Sequence, residues 1–112
     1  MKKTKYKNKI TYVDNIRFHS KLEAGHYEQL KLLQKQGLIA DLTLQPKYKI
    51  EVNDKKICNV ILDFSFYDNE KRQVRFVDSK GVYTNESKIK HKLLNAIYGI
   101  DIEVWKGARI SF

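Results

Sequence analysis

Polar and apolar residues alternate first in "ITYVDNIRF", where two short β-rich runs flank Asp14-Asn15, a pair that tolerates the positive φ of a two-residue turn. The period then lengthens. In "SKLEAGHYEQLKLLQKQG", Leu22, His26, Tyr27, Leu30 and Leu33 fall on one stripe at about 100° per residue, which predicts a helix facing a core. Ser20 is a natural N-cap for it, Glu23 completes an S-x-x-E capping box, and Gly37 is the stop. "YKIEV", "ICNVILDFSFY" and "QVRFVDSK" follow as three predicted strands, with polar turns at "NDKK" and "DNEK", so a meander is expected.

A second helix is expected over residues 86–98, capped by Thr84 or Asn85, buried along Ile89, Leu93, Ala96 and Ile97, and ended by Gly99. "IDIEVW" predicts another strand, and "ARISF" is a candidate for one more. The order helix, three strands, helix, strand predicts an α/β sandwich with a mixed sheet, the early hairpin being added at one edge. One domain is expected over 10–112, behind a basic arm at 1–9.

Two acids interrupt this pattern. Asp63 lies among Ile61, Leu62, Phe64 and Phe66, where a strand reads as buried. A lone buried carboxylate costs several kcal/mol unless it is paired, metal-bound or protonated. Either Asp63 has a partner or the strand emerges into solvent there. In "RQVRFVDSKGVY", residues i and i+2 project from the same face, so Val74, Phe76, Asp78 and Lys80 share one face. The acid-x-Lys pattern is common by chance: with 13 acids and 18 lysines in 112 residues, about two matches are expected. Three occur, and only Asp78/Lys80 ends an apolar strand, since Asp54/Lys56 sits in a turn and Glu86/Lys88 opens a helix.

If "DNEK" is the turn, Asp63 and Asp78 lie close together across a hairpin. Two adjacent carboxylates repel unless a cation sits between them. Oxygen ligands with open positions suit Mg²⁺ or Mn²⁺, which can activate water and orient a phosphodiester. Lys80 is then placed to position that water and to offset charge on the phosphorane. Glu23 has a capping role, but its angle also turns it into the apolar stripe, where it can serve as a further ligand.

Net charge is +9, which favours a polyanionic partner, most simply nucleic acid. Lys2, Lys3, Lys5, Lys7 and Lys9 form either a solvated terminus or an arm along phosphates. Lys88, Lys90, His91 and Lys92 make one end of the second helix basic, as a solvated face or a phosphate-tracking one. Lys88 and Lys92, four apart, are its best DNA-contacting pair. His19, His26 and His91 lack metal-ligand spacing, and His26 is expected to pack in the first helix. The tyrosines and Trp105 read as packing residues. The single cysteine, Cys58, excludes an internal disulfide and reads as a small buried hydrophobe. No apolar run reaches membrane-spanning length and no signal peptide is evident, so a cytoplasmic setting is expected.

Taken in order, "FHSKLEAGHYEQL", "LQPKYKI", "ILDFSF", "VDSKGVY", a lysine-rich helix and "DIEVW" resemble the PD-(D/E)xK nuclease superfamily over most of the chain. The resemblance is strongest to small phage-type endonucleases and Holliday-junction-resolving enzymes. It implies a restriction-endonuclease-like core of order αβββαβ. It also implies that Glu23, Asp63, Asp78 and Lys80 act together around Mg²⁺, or Mn²⁺ in its place. The carbonyl of Ser79 would be an extra ligand and Gln45 an accessory residue. Leu62 stands where the signature proline would be, and that proline is not a ligand. Asp78 replaces the commoner glutamate, one methylene shorter. The activity implied is metal-dependent hydrolysis of branched or structured DNA by a homodimer, in a phage or mobile element of a bacterial host. Its rivals are a sequence-specific or nicking nuclease of the same fold, a non-catalytic basic nucleic-acid-binding module, and a structural subunit of a phage complex.

Overall fold

The structure is a computed structural model and describes residues 9–112. Strands β1 (Thr11–Val13) and β2 (Ile16–Phe18) form the expected hairpin, with Asp14 and Asn15 at φ 53° and 63° in its turn. The hairpin is a sheet of its own packed on α1, not an added edge of the main sheet. Helix α1 (Lys21–Lys35) starts where expected: Ser20 Oγ accepts the Glu23 N–H at 3.1 Å. Glu23 Oε1 reaches back to the His19 N–H at 3.2 Å, one residue before the cap itself. Gly37, at φ 81°, closes the helix in the left-handed region that glycine enters without a Cβ clash. Glu23, Ala24, His26, Tyr27 and Leu30 are its buried residues, while Leu22 and Leu33 are only half-buried.

The strand pattern differs from expectation in two ways. "IADLTL" forms a strand, β3 (Ile39–Leu44), that periodicity does not reveal. "ICNVILDFSFY" is two strands, β5 (Lys55–Ile61) and β6 (Phe64–Asp68), broken at Leu62–Asp63. With β4 (Lys47–Val52), they build one long antiparallel ribbon: β4 pairs β5 up to Lys47↔Ile61, and β3 pairs β6 from Leu44↔Phe64. Between those registers lie Gln45–Pro46 on one arm and Leu62–Asp63 on the other. There the Gln45 N–H donates to Asp63 O at 2.9 Å and the Leu62 N–H to Pro46 O at 3.0 Å. Pro46 has no N–H to give and Gln45 takes φ 53°, so the ladder bends at this point. The turn at the far end of the ribbon is Asn53-Asp54, at φ 52° and 64°.

The main sheet has four strands in the order β3-β6-β7-β8, with β7 (Gln73–Ser79) antiparallel to β6 and parallel to β8 (Ile102–Trp105). Helix α2 (Asn85–Tyr98) makes the crossover between β7 and β8, capped by Thr84 and ended at Gly99 (φ 71°). The fold is therefore mixed α/β, with one helix on each face of the sheet. On the α1 face, Phe18, Leu30, Ile39, Phe64, Phe66, Val77 and Trp105 form one buried cluster. On the α2 face, Ile50, Val60, Leu62 and Leu94 form a second, with Phe76 and Ile102 packed against it.

Helix α2 is rotated away from its expected stripe. It buries His91 and Leu94, leaving Ile89 and Ile97 60 % and 41 % exposed, Ala96 exposed and Leu93 half-buried. The physical reason is the partner that His91 finds beneath it, described below. Residues 108–112 form no strand: Gln29 holds them through Ala108 O and the Ile110 N–H, and Arg75 through Ser111 O. Cys58 is half-buried against the second cluster rather than fully enclosed. Among the described residues, no helix is long and apolar enough to cross a membrane.

Candidate active site

The break in the ribbon sets Asp63 at the open end of the β6–β7 hairpin, beside the last residues of β7. Its amide N–H is shared between Val77 O at 3.1 Å and Asp78 Oδ1 at 3.0 Å. Its carboxylate Oδ2 accepts the Ser79 N–H at 2.7 Å. Asp63 and Asp78 thus hold each other through backbone amides, each acid gripping the other's strand. The expected adjacency is present, produced by a break rather than by continuous pairing.

Side chains on β7 alternate between the two faces. Asp78 lies on the α2 face and is 3 % exposed. Its Oδ2 meets His91 Nε2 at 2.6 Å and stands 3.9 Å from Lys80 Nζ. Ser79 faces α1, where its hydroxyl lies 2.6 Å from His26 Nδ1. The other nitrogen of His26, Nε2, lies 2.6 Å from Gly107 O, which can only accept. Nε2 of His26 therefore carries the proton, and Ser79 Oγ–H donates to Nδ1. Burial holds the His26 imidazole below its ordinary value, in keeping with a neutral ring.

Beside these residues opens a groove of about 790 Å³. Glu23, Asp63, Ser79, Lys80 and Gln45 all line it, while Asp78 does not. Lys9, His19 and Lys21 give it a basic rim. Glu23 is buried at 4 % exposure, so its capping bond and its place in the groove coexist. Burial first, and then the charges of Glu23 and Asp78, push the Asp63 carboxyl up to about 8, against the pull of the Ser79 N–H and Lys80. The three carboxylates come from a helix start, a ribbon break and a strand end.

That donor set is all oxygen, which suits a hard divalent cation in preference to a soft metal. As the side chains stand, no group of three His, Cys, Asp or Glu residues among those described converges closely enough to hold an ion. Both oxygens of Asp78 are engaged, by the Asp63 N–H and by His91. Asp63 and Glu23 are the two acids that face the groove directly, and they would anchor a cation there.

The structure separates the other expected site residues. Lys88 and Lys92 line a second, shallower cleft along α2 with Tyr83 and Asn95, and Lys88 Nζ lies 5.6 Å from the centre of the Tyr83 ring. Lys9 lies on the rim of the first groove, and Lys5 and Lys7 fall outside the described residues. His91, expected on the basic surface of α2, is instead buried between Asp78 and Tyr83, whose hydroxyl lies 2.7 Å from Nδ1. A signal for it existed, because a buried aspartate requires a donor and His91 is the residue of α2 that can reach one.

No curated protein and no solved structure matches the chain. Residues 3–108 match a family described as "Protein of unknown function (DUF1064)", and on that span the chain belongs to the DUF1064 family.

Proposed function

We propose that this protein is a divalent-metal-dependent DNA endonuclease with a restriction-endonuclease-like core, acting on branched or structured DNA. One observation carries the reading: Asp63, which shares one groove with Glu23 and Lys80, is raised to about 8 by burial and by the charges of Glu23 and Asp78. A structural acid is normally arranged to be neutralised, whereas Asp63 has two further acids as its neighbours, which favours a cation there. The succession α1, β3, β6, β7, α2, β8, with the β4–β5 ribbon inserted, agrees with the αβββαβ order of that nuclease core.

In this reading Asp63 and Glu23 hold Mg²⁺ or Mn²⁺, with Asp78 and the Ser79 carbonyl beside them. The cation, when bound, supplies Lewis acidity to a phosphodiester oxygen and lowers the pKa of the attacking water. Lys80, 31 % exposed at the groove edge, orients that water and offsets charge building on the phosphorus oxygens. The rim lysines Lys9 and Lys21, with Lys88 and Lys92 on α2, follow the DNA backbone. A second copy of the chain, implied by the resemblance to paired-cut resolving enzymes, completes the proposal.

The experiment is cleavage of a labelled four-way junction and a matched linear duplex in Mg²⁺, Mn²⁺ or EDTA. Metal-dependent cutting of the junction is expected, reduced on the order of 10²–10³-fold in Asp63→Asn and Lys80→Ala. Equal cutting of both substrates keeps the chemistry and removes the junction preference. The spread of the three carboxylates favours one rival, a non-catalytic basic binding module. Salt-sensitive binding that ignores Mg²⁺, with no cutting in any metal, establishes that rival instead.

A further inference from the structure

His91 is a buried polar group that the proposed reaction leaves unused, and it touches one of the site's acids. It is 8 % exposed and sits in a chain of three side chains, from β7, α2 and the loop between them: Asp78 Oδ2 to His91 Nε2 at 2.6 Å, then His91 Nδ1 to Tyr83 Oη at 2.7 Å. A carboxylate can only accept, so Nε2 carries a proton, and in the neutral ring Tyr83 O–H donates to Nδ1. Burial, then the charge of Asp78, raises the Tyr83 phenol, which therefore keeps the proton it donates. Ring stacking supports the same contact, with the two centroids 5.2 Å apart.

The consequence falls on Asp78. Left alone, a strand-end aspartate can rotate about χ2 and present either oxygen. Here Oδ2 is taken by His91 and Oδ1 is turned to the Asp63 N–H, so the carboxylate has one orientation. The helix accommodates this at a cost in apolar burial, because turning His91 inward leaves Ile89 and Ile97 exposed.

We infer that His91, steadied by Tyr83, is the positioning residue for Asp78, fixing which carboxylate oxygen holds the Asp63 amide and so how Asp63 presents its own carboxylate to a cation in the groove. This rests on the metal-dependent reading of the site. A merely space-filling His91 would support the fold and leave cation affinity untouched, which makes the two roles separable.

The test is calorimetric titration of the metal-free full chain with Mn²⁺, without DNA, on variants shown to unfold cooperatively. In His91→Gln the amide nitrogen can occupy the place of Nε2 and reach Asp78; in His91→Asn it is too short to do so. Outer-shell partners of metal ligands are worth about 10–100-fold in affinity. His91→Asn is expected to weaken Mn²⁺ binding by that factor, His91→Gln to stay within a few-fold of wild type, and Tyr83→Phe to fall between them. A folded His91→Asn that binds Mn²⁺ as tightly as wild type overturns the inference, as does a His91→Gln that binds as weakly as His91→Asn. Should His91→Asn not fold, undiminished affinity in Tyr83→Phe, which keeps the ring in place, overturns it as well. Wild-type protein that binds no Mn²⁺ overturns the metal reading itself, and this inference with it.

Discussion

The β6–β7 hairpin carries an acid at each end, one buried and one half-buried, and the two are treated in opposite ways. At the turn end, Asp68 is 1 % exposed. Its Oδ2 accepts from Arg75 Nη1 at 3.0 Å, and its Oδ1 from the Glu70 and Lys71 N–H groups at 2.9 Å each. Arg75 also grips Glu103 through two nitrogens at 2.7 and 2.6 Å and donates to Ser111 O. Burial alone would raise Asp68, but the bonds from Lys71, Arg75 and Glu70 outweigh it and hold the carboxyl below its ordinary value. At the open end burial wins, and Asp63 rises to about 8. One end has a guanidinium seated among its acids. The other has three acids and an ammonium at its edge, 3.9 Å from Asp78. In a chain of net charge +9 positive side chains are plentiful, so the difference is one of placement.

The largest expected effect tests this contrast by sign. Arg75→Ala leaves Asp68 buried without its cation and should cost about 3–5 kcal/mol in urea unfolding. Asp63→Asn removes an acid from the other end and keeps an oxygen to accept the Ser79 N–H. At pH 8 without metal it should stabilise the chain, by on the order of 1 kcal/mol. If both substitutions destabilise alike, the two ends are equivalent structural networks and the comparison fails.

How far the sequence could reveal these two ends follows from what each feature depends on. The Asp14-Asn15 hairpin, the Ser20 cap and the Gly37 and Gly99 stops are local, and their residue types announce them. Asp63, Asp78, Glu23 and Lys80 were legible as acids and a base out of place in apolar patterns, and the structure brings all four to one end of the sheet. The break at Leu62–Asp63 was not legible, because the apolar run continues through it and its cause, Pro46, lies on the opposite arm. Strand β3 was hidden by its own irregularity: Asp41 takes φ 55° and the register slips between Ala40 and Thr43. The rotation of α2 depends on Asp78, thirteen residues from His91, which helical periodicity cannot register. Arg75 read as one polar residue in a strand, and only the folded sheet brings Asp68 and Glu103 to it.

A cation supplied from outside should sharpen the contrast by a smaller amount. Mg²⁺ at one hundred times its dissociation constant stabilises a folded state by about 2.7 kcal/mol, read as a rise in Tm. The rise is expected in wild type and should vanish in Asp63→Asn. In Glu103→Gln, which weakens the turn end, the starting Tm should drop while the Mg²⁺ increment stays. An increment lost in Glu103→Gln as well would mean that Mg²⁺ acts on the fold at large rather than at the open end.

The smallest effect is a slope with pH. Asp63 has a folded value near 8 against 3.8 when unfolded, so between these the folded chain holds the extra proton and stability falls as pH rises. His26 works the other way: burial lowers it from 6.5, so its contribution grows with rising pH through 6.5 and levels off above it. Asp68 and Asp14, both lowered from 3.8, finish at more acidic pH still. The upper part of the window between 6.5 and 8 therefore belongs to Asp63 among these groups. Unfolding free energy of the metal-free chain should decline there by no more than about 1.4 kcal/mol per pH unit, the full value of one proton. Asp63→Asn should flatten the decline. Saturating Mg²⁺ should abolish it, because a cation that takes the place of the proton leaves neither the folded nor the unfolded Asp63 with one to lose. A slope that persists in Asp63→Asn would place the raised acid elsewhere and dissolve the asymmetry between the two ends.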